Sequence, residues 1–220
     1  MPRPRQALLS RERIVDTAAG LLDAEGLDAV STRRLAAELG VRGPSLYNHF
    51  RNKDAILDAV CESITAEVDI GCFTTHEWPD ALRIWGRSYR AALSAHPHIV
   101  PYLARGPGRR PRALAMADAV YGGLVDAGWP PARATHIGAL MRYLVAGSAL
   151  GSFARGFVSD PEIYVASDYP HLGQAHRLAA HQREVDDGAF DLGLEAVIKG
   201  LQITYEEVVG HHEGRSRTGR

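Results

Sequence analysis

The amino-acid sequence predicts an all-α fold in two parts, an N-terminal three-helix domain and a larger helical body. Apolar residues recur at spacings of three and four along most of the 220 residues, which is the period of an amphipathic helix. Segments that alternate apolar and polar residues, as strands do, are no longer than four residues. A content of 45% hydrophobic and 23% charged residues is that of a globular chain able to bury a core.

The same composition excludes other classes of protein. No apolar run is long enough to span a bilayer, and the basic N-terminus is not followed by the apolar stretch of a secretion signal. Two cysteines do not make a disulfide framework, and they fit a reducing compartment. We therefore expect a cytoplasmic protein without a membrane segment.

Residues suited to helix starts and ends predict the order of the elements. The N-terminal helices are one from Ser10 to Gly26, one from Ser31 to Gly40, a very short one over Pro44–Phe50 and one that starts at Asn52. Amphipathic runs predict further helices near 78–95, 111–127, 131–157, 172–182 and 190–209. The predicted domains are 1–57, 58–210 and a polar tail over 211–220.

Charge is distributed unevenly along the chain. The formal net charge is -1, but residues 1–55 carry +2, residues 56–210 carry -5 and residues 211–220 carry +2. This asymmetry favours an N-terminal end that faces an anion and a body that does not.

The stretch Ser31–Lys53 has the pattern of a helix-turn-helix. Small Ala36 allows the second short helix to pack closely on the first, and Gly40 supplies the left-handed residue that a sharp turn needs. In such a motif the second helix presents its N-terminal residues to the major groove of DNA. The pattern alone fits an ordinary pair of antiparallel helices equally well.

Longer motifs resemble the TetR family of transcriptional regulators. They are Ala24-Glu25-Gly26, Ser31-Thr32-Arg33-Arg34-Leu35-Ala36, Ser45-Leu46-Tyr47-Asn48-His49-Phe50-x-Asn52-Lys53 and, in the body, Phe190-x-x-Gly193-Leu194-x-x-x-Ile198-x-Gly200-Leu201. The resemblance covers nearly the whole chain. It implies a ligand-responsive repressor whose partners are double-stranded operator DNA, a small-molecule effector and a second copy of the chain.

The resemblance also implies which residues contact DNA. Thr32, Arg33 and Lys53 would contact phosphates, since a hydroxyl or a cation at a helix start suits an anionic oxygen. The recognition helix would carry Pro44, Ser45, Tyr47, Asn48 and His49, and Arg42 would reach guanine or the backbone. Gly43 replaces a glutamine of the repressor, so the operator sequence is not inherited. For Tyr47, direct base contact and a ring packed on the core are both open.

The effector site departs from the tetracycline repressor branch. In that branch an asparagine, a histidine and a partner-chain glutamate hold the drug and its magnesium. The matching positions fall near Trp85, Pro101-Tyr102 and Gly151, where an aromatic, a proline and a glycine side chain give magnesium no oxygen ligand. An apolar pocket is predicted instead, lined by Trp85, Tyr89, Tyr102, Met116, Met141 and Phe153. For any one of these residues, packing in the bundle core is the simpler interpretation.

Other chemistries find little support in the sequence. His171, His176 and His181 are five residues apart, so they cannot converge on one metal without a bend or a partner chain. A redox switch at Cys61 and Cys72 would need nearby cations, and the local residues are acidic. We predict no catalytic residue, metal site or cofactor, and a homodimer formed through the helices near 131–157 and 190–209. The alternative is a helical small-molecule-binding protein or enzyme with a vestigial helix-turn-helix.

Overall fold

Helices account for the regular structure in the computed structural model, which describes residues 9–165 and 167–217, with side chains to residue 208. The α-helices are α1 (Arg11–Glu25), α2 (Thr32–Leu39), α3 (Gly43–Tyr47), α4 (Lys53–Thr65), α5 (Cys72–Thr75), α6 (Trp78–Ala95), α7 (Val100–Leu103), α8 (Pro111–Asp126), α9 (Pro131–Ala149) and α10 (Gln182–Arg217). Short 3₁₀ helices lie at Leu27–Ala29, Pro97–Ile99, Ala154–Gly156, Pro161–Ile163 and Ala175–His181. The described residues contain no strand, so the all-α prediction is confirmed. Within these residues, no helix combines the length and the apolar character needed to cross a membrane.

Side-chain caps place the first helices where the sequence predicts them. Ser10 Oγ accepts from the amide of Arg13 at 3.2 Å, and Asn52 Oδ1 accepts from the amide of Ala55 at 2.8 Å. Each bond satisfies one of the amides that a helix start leaves without a partner. Gly26, with φ of 86°, ends α1.

Three predicted boundaries are wrong. The helix predicted over 131–157 ends at Ala149, where the sequence passes into a stretch containing Gly151 and Gly156, which weaken helices. The last helix starts at Gln182 rather than 190, because its first turns are polar and carry little apolar period. It also continues as a helix to Arg217 through most of the predicted polar tail; residues 218–220 lie outside the described part.

Contacts divide the described residues into two units that do not follow the order of the chain. The first unit combines the residues up to Glu67 with the segment Ala95–Leu114, and the second combines Val68–Ser94 with the residues from Ala115 onward. The predicted boundary at residue 57 stays a prediction, since it divides the chain by sequence alone.

In the first unit, side chains fasten the segment Ala95–Leu114 to α1 and α4. Its arginine Arg110 is only 6% exposed, and its guanidinium donates to Cys61 Sγ at 3.4 Å and to the carbonyl of Gly106. The other contacts are His96 Nδ1 with Asp23 at 2.8 Å, His98 Nδ1 with the Leu22 carbonyl at 2.9 Å, Tyr102 OH with Asp58 Oδ1 at 3.2 Å and the Arg112 amide with Glu62 at 3.0 Å. The segment is therefore part of the unit that holds the helix-turn-helix.

In the second unit, helices α6 and α10 run antiparallel with ion pairs between them. The pairs are Arg83 with Glu195 at 3.1 Å, Arg87 with Asp191 at 3.2 Å and Arg90 with Asp187 at 2.7 Å. An aromatic cluster packs in the same unit. The ring centroid of Trp129 lies 5.4 Å from that of Trp78 and 5.1 Å from that of Tyr205. The ion pairs and the contact between Trp78 and Tyr205 both join α6 to α10, so they hold these two helices together.

Candidate nucleic-acid interface and effector site

The turn between α2 and α3 is built on Gly40. Its φ of 67° is left-handed, which a glycine adopts without steric cost. Its amide donates to the carbonyl of Ala37, and the amide of Val41 donates to that of Ala36, the bond pattern of a Schellman helix end. Buried Ala36, 6% exposed, then permits the close approach of the next helix.

Helix α3 is one short turn with a buried side and an exposed side. Leu46 is 1% exposed and anchors the helix, whereas Tyr47 is 55% exposed. Pro44 lies in the first turn, where its missing amide hydrogen leaves no bond unmade. Arg42 and Pro44 are also exposed, and Ser45 is half-buried. The exposed side of α3 is therefore accessible to a macromolecular ligand.

The predicted recognition helix is too long. Helix α3 ends at Tyr47, and the amides of His49 and Phe50 both bond back to the carbonyl of Leu46 at 3.0 Å. The chain therefore leaves α3 in a tight turn that buries the Phe50 ring, 3% exposed. Exposed Asn48 and half-buried His49 lie in this turn rather than on the helix.

Three exposed cations lie on α2, at the start of α3 and just before α4. The side chains of Arg33, Arg42 and Arg51 are exposed, and none of them forms a hydrogen bond or ion pair with a described residue. Arg34, by contrast, is paired with Glu25 at 2.9 Å. Exposed guanidinium groups without a partner among the described residues suit a polyanion. Arg51 was not predicted from the sequence. Its only signal is that a basic residue directly precedes the cap of α4, and this signal is weak.

The remaining predicted phosphate contacts lie at helix starts. Thr32 is half-buried at the start of α2. Lys53 begins α4, and its Nζ donates to the carbonyl of Leu27 at 3.4 Å. Because an ammonium has three donors, two remain available to a phosphate.

Five of the six predicted effector residues lie in the second unit, where they fall into three groups. Trp85 and Tyr89 are buried on α6 with ring centroids 5.6 Å apart, and the Trp85 indole nitrogen has no acceptor among the described residues. Met141 is fully buried on α9, and Met116 is 8% exposed on α8. Phe153 is 68% exposed. Only the α6 pair is brought together by a direct ring contact.

Tyr102 belongs to the first unit, and its hydroxyl is already engaged there. It donates to Asp58 Oδ1 at 3.2 Å and to the Asp54 carbonyl at 3.3 Å. Burial, followed by the charge of Asp58, raises the pKa of Tyr102 to about 12. In the first unit Tyr102 thus joins the segment Ala95–Leu114 to α4.

Phe73 is an aromatic residue of the second unit that the sequence did not single out. Its ring lies 6.3 Å from that of Trp85, and it packs directly on Gly123 of α8, where a Cβ atom would approach Phe73 Cδ1 to 2.8 Å. The signal was the pair Gly122-Gly123 inside a predicted helix, since such glycines often mark close packing.

Two known protein families match the chain, one in its N-terminal part and one in its C-terminal part. Residues 14–60 match the family described as bacterial regulatory proteins, tetR family. Residues 74–205 match the tetracyclin repressor-like C-terminal domain. The chain belongs to the TetR family. As a TetR-family protein it is a ligand-responsive transcriptional regulator.

Relatives of this TetR-family chain agree over nearly its full length. The tetracycline repressor protein class C of Escherichia coli is 34% identical over 210 residues, covering 88% of this chain and 91% of that protein. A possible TetR family transcriptional regulator from Streptomyces coelicolor A3(2) superposes with a TM-score of 0.73 at 28% identity, covering 89% and 100% of the two chains. ActR of Streptomyces coelicolor, solved with actinorhodin, gives 0.68 at 31% identity, covering 90% and 99%.

Proposed function

We propose that the protein is a cytoplasmic repressor that binds a palindromic operator as a homodimer and is released by a small apolar or aromatic effector. The observation that carries the DNA part is the exposed side of α3, fixed by buried Leu46, together with the exposed arginines Arg33 on α2, Arg42 at the start of α3 and Arg51 just before α4. Cations position a protein on phosphates, and side chains on a helix in the major groove read the bases.

The proposed contacts follow from where the side chains lie. Arg33 and Lys53 bind phosphates from the starts of α2 and α4, with Thr32 beside them. Tyr47 and Pro44 face the bases from α3, and Arg42 enters from the turn before it. Ser45, Asn48 and His49 complete the surface from the half-buried side of α3 and the turn after it.

Substitutions of Tyr47 and Lys53 test the proposed contacts, because they should change DNA binding in different ways. The operator is a duplex that the wild-type protein selects from a randomised library. Tyr47→Ala should weaken binding to this operator by about 1–3 kcal/mol, because the side chain is proposed to contact a base. Lys53→Ala should weaken binding to every sequence and lower the salt slope by about one. Fluorescence anisotropy across a range of salt concentrations measures both quantities. A double variant that binds the operator as tightly as the wild type would sink the proposal.

The homodimer is proposed from exposed apolar stripes on α9 and α10. Leu140 and Tyr143 lie on one face of α9, which Leu150 continues at its C-terminal end, with Gly147 between them. Leu192 and Ile203 lie along α10, 74% and 62% exposed. Large apolar side chains that are exposed on a shared helix face are typical of an interface. Two such helices meeting their copies would form a four-helix bundle and supply a second reading head.

The effector is proposed to be mainly apolar and to bind without magnesium. The α6 residues Trp85 and Tyr89 offer aromatic surface, and Trp85 keeps an indole donor without a described acceptor. The family relatives include proteins solved with small molecules, ActR with actinorhodin and a variant of TetR from Acinetobacter baumannii with minocycline. Membership of the same family disfavours the alternative of a binding protein or enzyme with a vestigial helix-turn-helix.

Calorimetry with tetracycline separates the two kinds of effector. We expect no tetracycline binding that depends on magnesium, because the resemblance puts the repressor's three ligand positions near Trp85, Pro101-Tyr102 and Gly151, where its asparagine, histidine and glutamate are absent. The titration is run with magnesium and then with a chelator. Tight binding that the chelator abolishes would contradict the proposed effector class and leave the operator binding untouched.

A further inference from the structure

Helix α3 is too short to hold its own conformation. It has five residues, and a single helical turn gains too few hydrogen bonds to offset the cost of ordering its backbone. The N-terminal half of α3 is fixed by the Gly40 turn and by buried Leu46. Its C-terminal end, where exposed Tyr47 and Asn48 lie, needs a separate restraint.

Arg11, the first residue of α1, contacts that end twice. Its Nη1 donates to the carbonyl of His49, and its Cζ lies 4.0 Å from the centroid of the Phe50 ring. A planar guanidinium can stack on an aromatic face while its edge donates a hydrogen bond, which an ammonium cannot do in the same place. Both contacted groups lie in the turn that directly follows α3.

We propose that Arg11 is a positioning residue for DNA recognition. It holds the turn after α3, so that Tyr47 and Asn48 are presented in one orientation, and it does not bind phosphate itself. Arg51 differs, because its exposed side chain has no bond to any described residue. The proposal rests on the proposed operator binding, and it adds a role that a cation near DNA does not by itself imply.

The test compares a specific duplex with a random one. The specific duplex is selected from a randomised library by the wild-type protein, and the control is a scrambled duplex of equal length. Arg11→Ala should weaken binding to the selected duplex about tenfold, through the loss of one charge-assisted hydrogen bond. Affinity for the scrambled duplex and the salt slope should not change. A phosphate contact would instead lower both affinities and reduce the slope by about 0.9.

Two further variants separate position from charge. Arg11→Lys keeps the charge but not the stacked and bonded geometry, so it should bind the selected duplex as weakly as Arg11→Ala. Arg51→Ala is the matched control, because it removes the same charge without a contact to the turn. Its effect, if any, should fall on both duplexes and on the salt slope.

Hydrogen exchange gives a readout that does not depend on DNA. In Arg11→Ala the amides of His49 and Phe50, which bond to the Leu46 carbonyl, should exchange faster, while those of α4 should not. Arg11→Lys serves the same comparison if Arg11→Ala does not fold. Full affinity in Arg11→Ala, or recovery in Arg11→Lys, would overturn the proposal. A wild-type protein that binds the two duplexes equally would instead overturn the proposed function.

Discussion

At Cys61 and Cys72 burial suppresses the reactivity that a thiol needs. Both side chains are 1% exposed. Burial raises the pKa of Cys61 to about 12, although Arg110 beside it acts in the opposite direction. Burial, with the charge of Asp69, raises the pKa of Cys72 to about 11. Since the thiolate is the nucleophile, neither residue suits a redox switch.

We therefore expect both thiols to react with Ellman's reagent at pH 7 only as fast as the protein unfolds. The chain in urea, where both thiols are free, gives the reference rate. The same shifts predict a loss of stability in alkali. The pKa of Cys61 is about 12 in the folded chain, whereas that of a thiol in the unfolded chain is near 9. The contribution of Cys61 to stability is therefore complete below about pH 9 and is lost as the pH rises toward 12. A rapid reaction of one thiol in the folded protein would contradict this assignment.

The roles of single residues were predicted unevenly. Exposed cations such as Arg33 and Arg42 could be proposed as DNA contacts from sequence, because their type and their position at helix starts suit phosphate, and these contacts stay predictions. Arg11 could not, because its partners lie 38 residues away along the chain. Tyr102 was predicted to line a pocket, but the acidic partner that engages its hydroxyl is brought close only by the packing of α4. Roles that depend on distant contacts are invisible to spacing alone.

At the scale of an element, the glycine pair of α8 offers a matched experiment. A Cβ at Gly123 would lie 2.8 Å from Phe73 Cδ1 and 2.9 Å from Phe73 Cβ, whereas a Cβ at Gly122 meets no described atom within 4 Å. Gly123→Ala should destabilise the protein by about 1–3 kcal/mol, because the Phe73 ring must move. Gly122→Ala should stabilise it by up to about 1 kcal/mol, because alanine is the better helix former.

Urea unfolding followed by circular dichroism measures both variants. The two substitutions add the same methyl group to neighbouring positions of one helix, so their difference isolates the contact with Phe73. Equal effects of the two would show that Phe73 does not pack on Gly123 as described. A change in the fluorescence of Trp85 in Gly123→Ala alone would agree with a displaced Phe73 ring, since the two rings are 6.3 Å apart.

Elements with strong local signals were predicted well. Helix α6 spans Trp78–Ala95, as its apolar period predicts, and the caps at Ser10 and Asn52 fix α1 and α4. The end of α9 was missed, because a run of small residues keeps a helical composition beyond the point where the backbone leaves the helix. The start of α10 was missed for the opposite reason, since its first turns are polar, with Asp187 paired to Arg90 of α6, and lack an apolar period.

At the scale of the whole molecule, Gly147 separates dimerisation from folding. It is exposed on α9 and a Cβ there meets no described atom within 4 Å. Gly147→Arg should therefore fold normally but place a bulky charge in the proposed interface, which should bury roughly 1,000 Å² or more. We expect a folded monomer that no longer binds the operator, because two reading heads are needed at a fixed spacing.

Sedimentation and circular dichroism decide between the outcomes. Thr135→Arg is the control, because it adds the same side chain to an exposed position of α9 about a third of a turn around the helix from Gly147. A wild-type protein that sediments as a monomer at micromolar concentration would remove the basis of the homodimer. A Gly147→Arg chain that unfolds would show instead that this position is packed within the subunit.

The grouping of Ala95–Leu114 with α1–α4 has a consequence for protein engineering. Consider a chimera that transplants α1–α4 onto the body of another regulator with a single cut after α4. Here such a cut would strand Asp23, Asp58 and Glu62, whose partners His96, Tyr102 and Arg112 would stay behind. A transplant that keeps the donor's stability must carry two separate pieces of chain. The unit of exchange in this protein is therefore discontinuous, and a sensor built from it needs three junctions, after Glu67, before Ala95 and after Leu114, where a linear map would draw one.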